Sequence, residues 1–214
     1  MPSITKKVWE ILDNDITIKK DLERGIINVS ALSQYLLDEH DITGSLDSVI
    51  SAVRRYKAND AIKDSFAEIQ TALNNAIIST KTNVAALTLK NTQHTFQCLS
   101  RFMAEDEFIK TEEFRLLKYK HNVFLVVGME TLNRAEKFFS ESIVEQQEAV
   151  VELIITLMDE SWKTRGILSR VTNELSGKGV NVEMAFTIPP AIHIFVKQEG
   201  LVKAHEAIMR ISGR

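Results

Sequence analysis

The sequence predicts an α+β fold: an all-helical domain over residues 1–75, then two ferredoxin-like units over 76–149 and 150–214. Three observations predict it. Apolar residues recur at helical spacing up to about residue 75 and alternate in short runs after it. Glycine (8) and proline (3) are scarce, which favours helices and short connections. From residue 76 the order strand–helix–strand–strand–helix occurs twice, at a spacing of about 67 residues.

Ile4, Val8, Ile11 and Leu12 share one face of a first helix. A second covers Ile16 to Arg24 and stops at Gly25, which accepts positive φ. In the third, Val29, Leu32 and Leu36 face inward and Asn28 or Ser30 caps the start. Gly44 and Ser45 restart the chain. The fourth has Leu46, Val49, Ile50 and Val53 on one stripe, with Ser45 as cap and Asp47 in the favourable first turn. The pattern continues through Ile62, Phe66, Ile69 and Leu73, as one long helix or as two broken near Asn59.

Beyond residue 75, "AIIST" and "NVAALTLK" read as strand and "TQHTFQCLSRFM" as amphipathic helix. "FRLLKY" and "NVFLVVG" form a strand pair joined near Lys120 and His121, "METLNRAEKFF" is helix and "SIVEQQ" is strand. The second round runs "VVELIITLM" as strand, "WKTRGILSRVTNELSGKG" as helix with Ile167, Leu168, Val171 and Leu175 facing in, strands "VNVEMAFT" and "AIHIFVK" joined by Ile188, Pro189 and Pro190, and the helix "LVKAHEAIMRI". Each unit is small for an independent core, so the two are expected to pack together.

Composition narrows the function classes. The net charge of −3 gives no overall attraction to nucleic acid. No apolar run of about 18 residues is present to span a membrane. "MPSITKKVWEILDND" has no signal-peptide apolar region, and Cys98, the single cysteine, reads as a buried thiol beside Phe96, Leu99 and Phe102. A cytoplasmic protein is the expectation. The five histidines show no H-x-x-x-H spacing, so no metal or cofactor site is expected. No motif brings a nucleophile to a base, so no catalytic residue is assigned and the expectation is a non-enzyme.

"GILSRVTNELSGKGVNVEM" followed by "IHIFVKQEGLVKAHEAI" resembles an ACT domain, the small amino-acid-sensing module, and above all the regulatory half of aspartokinase. "NAIISTKTNVAALTLK" resembles the strand pair that opens that half. The resemblance covers residues 76–214 and implies two ferredoxin-like (ACT) units. The first unit lacks the Pro-Gly helix entrance and the G-x-N-V strand. The second has Thr164-Arg165-Gly166 for the usual Thr-Pro-Gly, and "TIPP" for a polar turn. An ACT unit ends in a fourth strand, yet only Ser212, Gly213 and Arg214 follow Ile211. The second unit is therefore expected to borrow a strand from about Asn75–Thr80, or to leave an edge open. The chain lacks a G-x-x-x-x-G-K-[ST] loop and is short for a kinase domain, so a sensor detached from its enzyme is expected.

The resemblance implies a ligand site at Met158–Ile167 with Gly179–Met184. Its candidate residues are Asp159, Glu160, Thr164, Arg165, Gly166, Ile167, Asn181, Val182 and Met184. The chemistry suits an amino acid. Free N–H groups at the start of the Gly166 helix take a carboxylate, Asp159 or Glu160 an ammonium, and Asn181 offers donor and acceptor across an interface between units. Structural alternatives stand beside this: Asn181 satisfying a turn, Asp159 and Glu160 capping a helix, Trp162 as lid or interface anchor. His193 has the opposite parity to Ile192, Ile194 and Val196, which places it on an exposed or interface face.

"NVSALSQYLLDEHDITGSLDSVISAVRRYK" resembles a helix-turn-helix, with Ser48, Ser51, Arg54 and Arg55 on the outer face of the second helix. The Asp38–Ser45 connection exceeds the usual short turn, and residues 1–75 hold 9 Lys+Arg against 12 Asp+Glu. Both a DNA-binding and a helical interaction or dimerisation role stay open. The expected protein is a homo-oligomeric regulator of amino-acid metabolism. It would bind a small-molecule effector, an amino acid, through its ACT region and signal to DNA or a partner protein. The alternatives are a non-catalytic interaction module without ligand, or the regulatory subunit of a separate enzyme.

Overall fold

The computed structural model describes residues 3–56, 61–104 and 114–214, with the backbone alone for 61–65. Five helices come first: α1 (Ile4–Asn14), α2 (Ile16–Glu23), α3 (Val29–Glu39), α4 (Leu46–Arg55) and α5 (Ala61–Asn74). Side chains of Ser3, Asp15, Asn28 and Ser45 accept from the first free N–H groups of α1 to α4. Gly25, at φ 70, follows α2 where the sequence places its stop. Val8, Leu12, Leu32, Leu36, Val49 and Val53 meet in one core. α4 and α5 are separate helices; Asn59 lies outside the described residues.

The chain divides into two units, one up to Glu68 and one from Ile69, and the division falls inside α5. The reason is packing: Ile69, Ala72 and Leu73 are buried in the core of the second unit.

That unit follows as β1 (Ile77–Lys90), α6 (Gln93–Met103), β2 (Arg115–Lys118), β3 (Asn122–Gly128), α7 (Met129–Phe139), β4 (Ile143–Thr156), α8 (Ile167–Gly177), β5 (Met184–Ile188), β6 (Ala191–Lys197) and α9 (Leu201–Ile211). Among the described residues the strands form one six-stranded antiparallel sheet in the order β2-β3-β1-β4-β6-β5. "AIIST" and "NVAALTLK" are one strand, as are "SIVEQQ" and "VVELIITLM", so the expected boundary at 149/150 lies within β4.

The borrowed strand is present. The start of β1 pairs with the end of β4, from Ile77 opposite Thr156 to Lys81 opposite Glu152. The end of β1 pairs with the start of β4, from Val84 opposite Val150 to Leu89 opposite Ile143. Each long strand therefore serves both strand–helix–strand–strand–helix rounds. Register shifts near Lys81 and Val84, with Asn83 at φ 68 and Ala149 at φ 56, mark the handover.

Alternation along the strands makes two sheet faces. On the helix face, Ala85, Leu87 and Leu89 pack with α6 and α7 around Phe102 and Phe139, and Val151, Leu153 and Ile155 pack with α5, α8 and α9. Cys98 is buried in the first of these cores. On the other face, Val84, Ala86, Val126, Val150 and Phe195 form a smaller cluster joined by Met184 and Phe186.

In the helical unit Tyr56 Oη donates to Asp13 Oδ1 at 2.5 Å, and Lys19 Nζ donates to the same oxygen at 3.0 Å. The tyrosine hydrogen bond, then the lysine, holds the Asp13 carboxyl below its ordinary value. Burial, then Asp13, raises the Tyr56 phenol. A carboxylate with a lowered folded pKa stabilises fully above the ordinary carboxylate range, and that contribution fades as pH falls through the lowered value. Tyr56→Phe removes the larger cause. Asp13 should then titrate at higher pH, closer to an unperturbed aspartate, in carbon NMR of the carboxyl; an unchanged midpoint would assign the shift to Lys19.

Candidate functional site

β4 ends at Thr156 and α8 begins at Ile167, and the connection between them carries a 3₁₀ turn, Ser161–Lys163. The expected helix start at Trp162 is thus this separate turn. Gly166 caps α8 at φ 92, a backbone conformation that favours glycine, and a Cβ there would meet Ile69 Cδ1 at 3.1 Å. No side chain caps α8, and its first closing bond is Arg170 N–H to the Gly166 carbonyl. The N–H groups of Ile167 and its successors remain available to an acceptor.

Across from this start stands the β5–β6 turn with Pro189 and Pro190, and Leu157 N–H donates to the Pro190 carbonyl at 3.0 Å. Between loop and turn lies a cavity of about 310 Å³ lined by Leu157, Trp162, Thr164, Gly166, Ile167, Leu168, Thr187, Pro189, Pro190, Ala191 and Ile192. Leu157, Ile167 and Ile192 are buried and make its floor; Trp162, 43% exposed, stands at its rim. Its size is at the lower end of the roughly 300–1,000 Å³ range of small-molecule sites.

Of the sequence-derived ligand residues, Thr164, Gly166 and Ile167 line the cavity. Asp159, at φ 51, and Glu160 are exposed in the loop, and Glu160 pairs with Lys163 at 2.6 Å. Lys163 Nζ in turn sits 5.4 Å from the Trp162 ring centre. Arg165 is exposed.

Asn181 stands elsewhere. The Val180 N–H donates to Leu175 O and closes the C-terminal end of α8, so β5 starts only at Met184 and Asn181 precedes it. α8 is eleven residues, about 16 Å at 1.5 Å per residue, and Asn181 follows its far end. The amide of Asn181 donates to Glu183 Oε1 at 3.0 Å and is exposed. Val182 packs on the helix-side core and Met184 on the opposite sheet face. Within one copy of the chain Asn181 therefore lies beyond the opposite end of α8 from the helix start and the acids. Trp162 and the Pro189–Pro190 turn, the latter visible in sequence as a departure from the ACT pattern, line the cavity.

In the helical unit Ser48, Ser51, Arg54 and Arg55 are all exposed on α4. Ser48 is engaged with the Ser45 cap, Ser51 accepts Arg55 Nε through its carbonyl, and Arg55 Nη2 reaches Thr5 Oγ1 at 3.2 Å.

On the sheet face away from the helices, Glu152 is fully buried. Arg115 of β2 approaches it by Nε to Oε1 and Nη2 to Oε2, each at 3.3 Å, and His193 Nδ1 lies 2.7 Å from Oε1. Phe186 stacks on the imidazole with ring centres 4.8 Å apart. His193 is buried, not exposed, because its face of β6 is covered by this cluster. No group of His, Cys, Asp and Glu suited to a metal occurs among the described residues. Nor is any helix there long and apolar enough to cross a membrane.

No family model and no curated protein matches the sequence. Solved structures do match. The regulatory subunit of aspartate kinase from Thermus thermophilus aligns at TM-score 0.50 and 12% identity, over 63% of this chain and 95% of that one. A putative C-terminal regulatory domain of aspartate kinase from Porphyromonas gingivalis W83 aligns at 0.51 and 17%, over 65% and 98%. The fold is ACT-like. E. coli aspartokinase III in complex with aspartate and ADP aligns at 0.51 and 16%, over 65% of this chain but only 35% of the enzyme.

Glu152 is fully buried and shared by Arg115 and His193, and breaking a buried ion pair costs about 3–5 kcal/mol. Glu152→Ala should therefore lower the stability of the unit from Ile69 onward by about this amount in urea unfolding. A loss below about 1 kcal/mol would mean that the shared carboxylate contributes little net stability.

Proposed function

We propose that this protein is a regulator of amino-acid metabolism that binds a small effector, an amino acid, in the cavity at the start of α8. The observation that carries the reading is that cavity, set in an ACT-like sheet between an uncapped helix start and a turn. A zwitterion has a carboxylate for the free N–H groups, and Asp159 and Glu160 occupy the chain between the lining residues Leu157 and Trp162. Asn181, Val182 and Met184 would join such a site only from another copy of the chain, consistent with a homo-oligomer. The likeness to aspartate kinase regulatory domains, one of them from an enzyme crystallised with aspartate, supports the same reading.

The helical unit would carry the effector-bound state to DNA or to a protein partner. A second reading, a regulatory subunit for a separate enzyme, is favoured by the Thermus thermophilus match, in which a regulatory subunit is covered over 95% of its length.

A thermal-shift screen with the twenty amino acids tests the effector. A specific binder at 100 times its Kd should stabilise by about 2.7 kcal/mol and raise the melting temperature accordingly. No shift with any of them would leave a ligand-free interaction module as the reading.

For DNA, Arg54→Ala with Arg55→Ala should weaken binding and reduce the slope of log affinity against log salt by about 0.9 for each phosphate no longer neutralised. Binding with an unaltered slope would make both arginines ordinary solvated surface.

A further inference from the structure

We infer that the effector of this cavity is an amino acid with an uncharged, apolar side chain; the inference rests on the reading of the cavity as an amino-acid site. Its wall is made by Leu157, Ile167, Leu168, Ile192, the Pro189–Pro190 turn and the Trp162 indole. The side-chain polar atoms there are the hydroxyls of Thr164 and Thr187 and the Trp162 N–H, and no lining residue is charged. Glu160 and Lys163 are engaged with each other at 2.6 Å, and Arg165, between the lining residues Thr164 and Gly166, is exposed and not part of the lining. Lys163 is further held over the Trp162 ring.

A charged effector side chain would leave water for a floor of Leu157, Ile167 and Ile192, in a cavity whose lining residues carry no charge. An apolar side chain removes its own surface and that of the floor from water together. The head group fits the rim. Its carboxylate can accept from the uncapped N–H groups of α8, and its ammonium can face the two threonine hydroxyls and solvent. The volume of about 310 Å³ suits one amino acid and excludes a nucleotide-sized ligand.

Trp162 and Trp9 are the two tryptophans of the chain. In a Trp9→Phe variant the emission therefore reports on the cavity rim alone. Leucine, valine, methionine and phenylalanine should change this emission saturably, with aspartate, glutamate, lysine and arginine at least about tenfold weaker. Calorimetric titration of the unmodified chain repeats the ranking without depending on the folding of the variant. Thr164→Asp, which sets a carboxylate at the rim, should weaken the apolar amino acids by about tenfold or more. A charged amino acid binding as tightly as the apolar ones would overturn the inference and keep the amino-acid reading. Emission that follows protein concentration and ignores every amino acid would make the cavity a contact between copies. Together with a flat thermal-shift screen, that result would remove both.

Discussion

The antiparallel pairing of β1 with β4 is the contact on which the rest of the sheet depends. Both strands are fourteen residues long, and each spends one half in each round of the repeat. The start of β1 completes the sheet beside α8 and α9, and the start of β4 completes the sheet beside α6 and α7. Neither round has four strands of its own, so neither can bury its helix face alone. The exchange also sets a geometric demand. Side chains must switch parity where a strand passes from one core to the other, since Ile78 packs on the α8–α9 side but Ala85, Leu87 and Leu89 on the α6–α7 side. A strand of period two cannot do this without an extra residue, and the register shifts around Asn83 and Ala149 supply it.

The same exchange explains the buried charges. Arg115 lies on the edge strand β2, Glu152 on the central strand β4 and His193 on β6. The carboxylate binds a side chain from each round, so it ties the outer strand of one to the inner strand of the other. Two apolar side chains could fill such space, but only a directional, two-sided acceptor fixes which strand faces which. Phe186 stacks on the histidine and packs against Phe195 on this face of the sheet.

Local chemistry was legible in the sequence, and partnership at a distance was not. The caps Asn28 and Ser45, the stop at Gly25 and the burial of Cys98 each depend on a few neighbouring residues, and each stands as read. The borrowed strand was legible by counting, because the repeat lacked a final element. Asn181 misled for a specific reason. "VNVEM" alternates like a strand, yet Val180 is consumed in closing α8, so the ladder begins three residues past Asn181. His193 and Glu152 were readable as isolated polar residues within apolar strands. Their pairing spans 41 residues of sequence, and the link from Glu152 to Arg115 spans 37. Only the strand order reveals either.

The two rounds differ most where a strand hands over to its first helix, and that difference decides where a cavity forms. In the first round β1 ends at Lys90 and α6 starts at Gln93, leaving only Asn91 and Thr92 between them. Thr92 caps α6 and meets Thr95, which bonds Lys90 O at 2.6 Å and Ser142 Oγ at 3.0 Å, while the Asn91 amide donates to Tyr119 O and Lys120 O. The helix start is filled by the protein's own oxygens. In the second round the connection is longer, and its cap is a glycine with no side chain to offer. In the first round Thr92 Oγ1 accepts from the Thr95 N–H at the start of α6, whereas no side chain does the same at the start of α8. The second round thus sets an uncapped helix start beside a cavity, where the first has a capped start two residues after its strand.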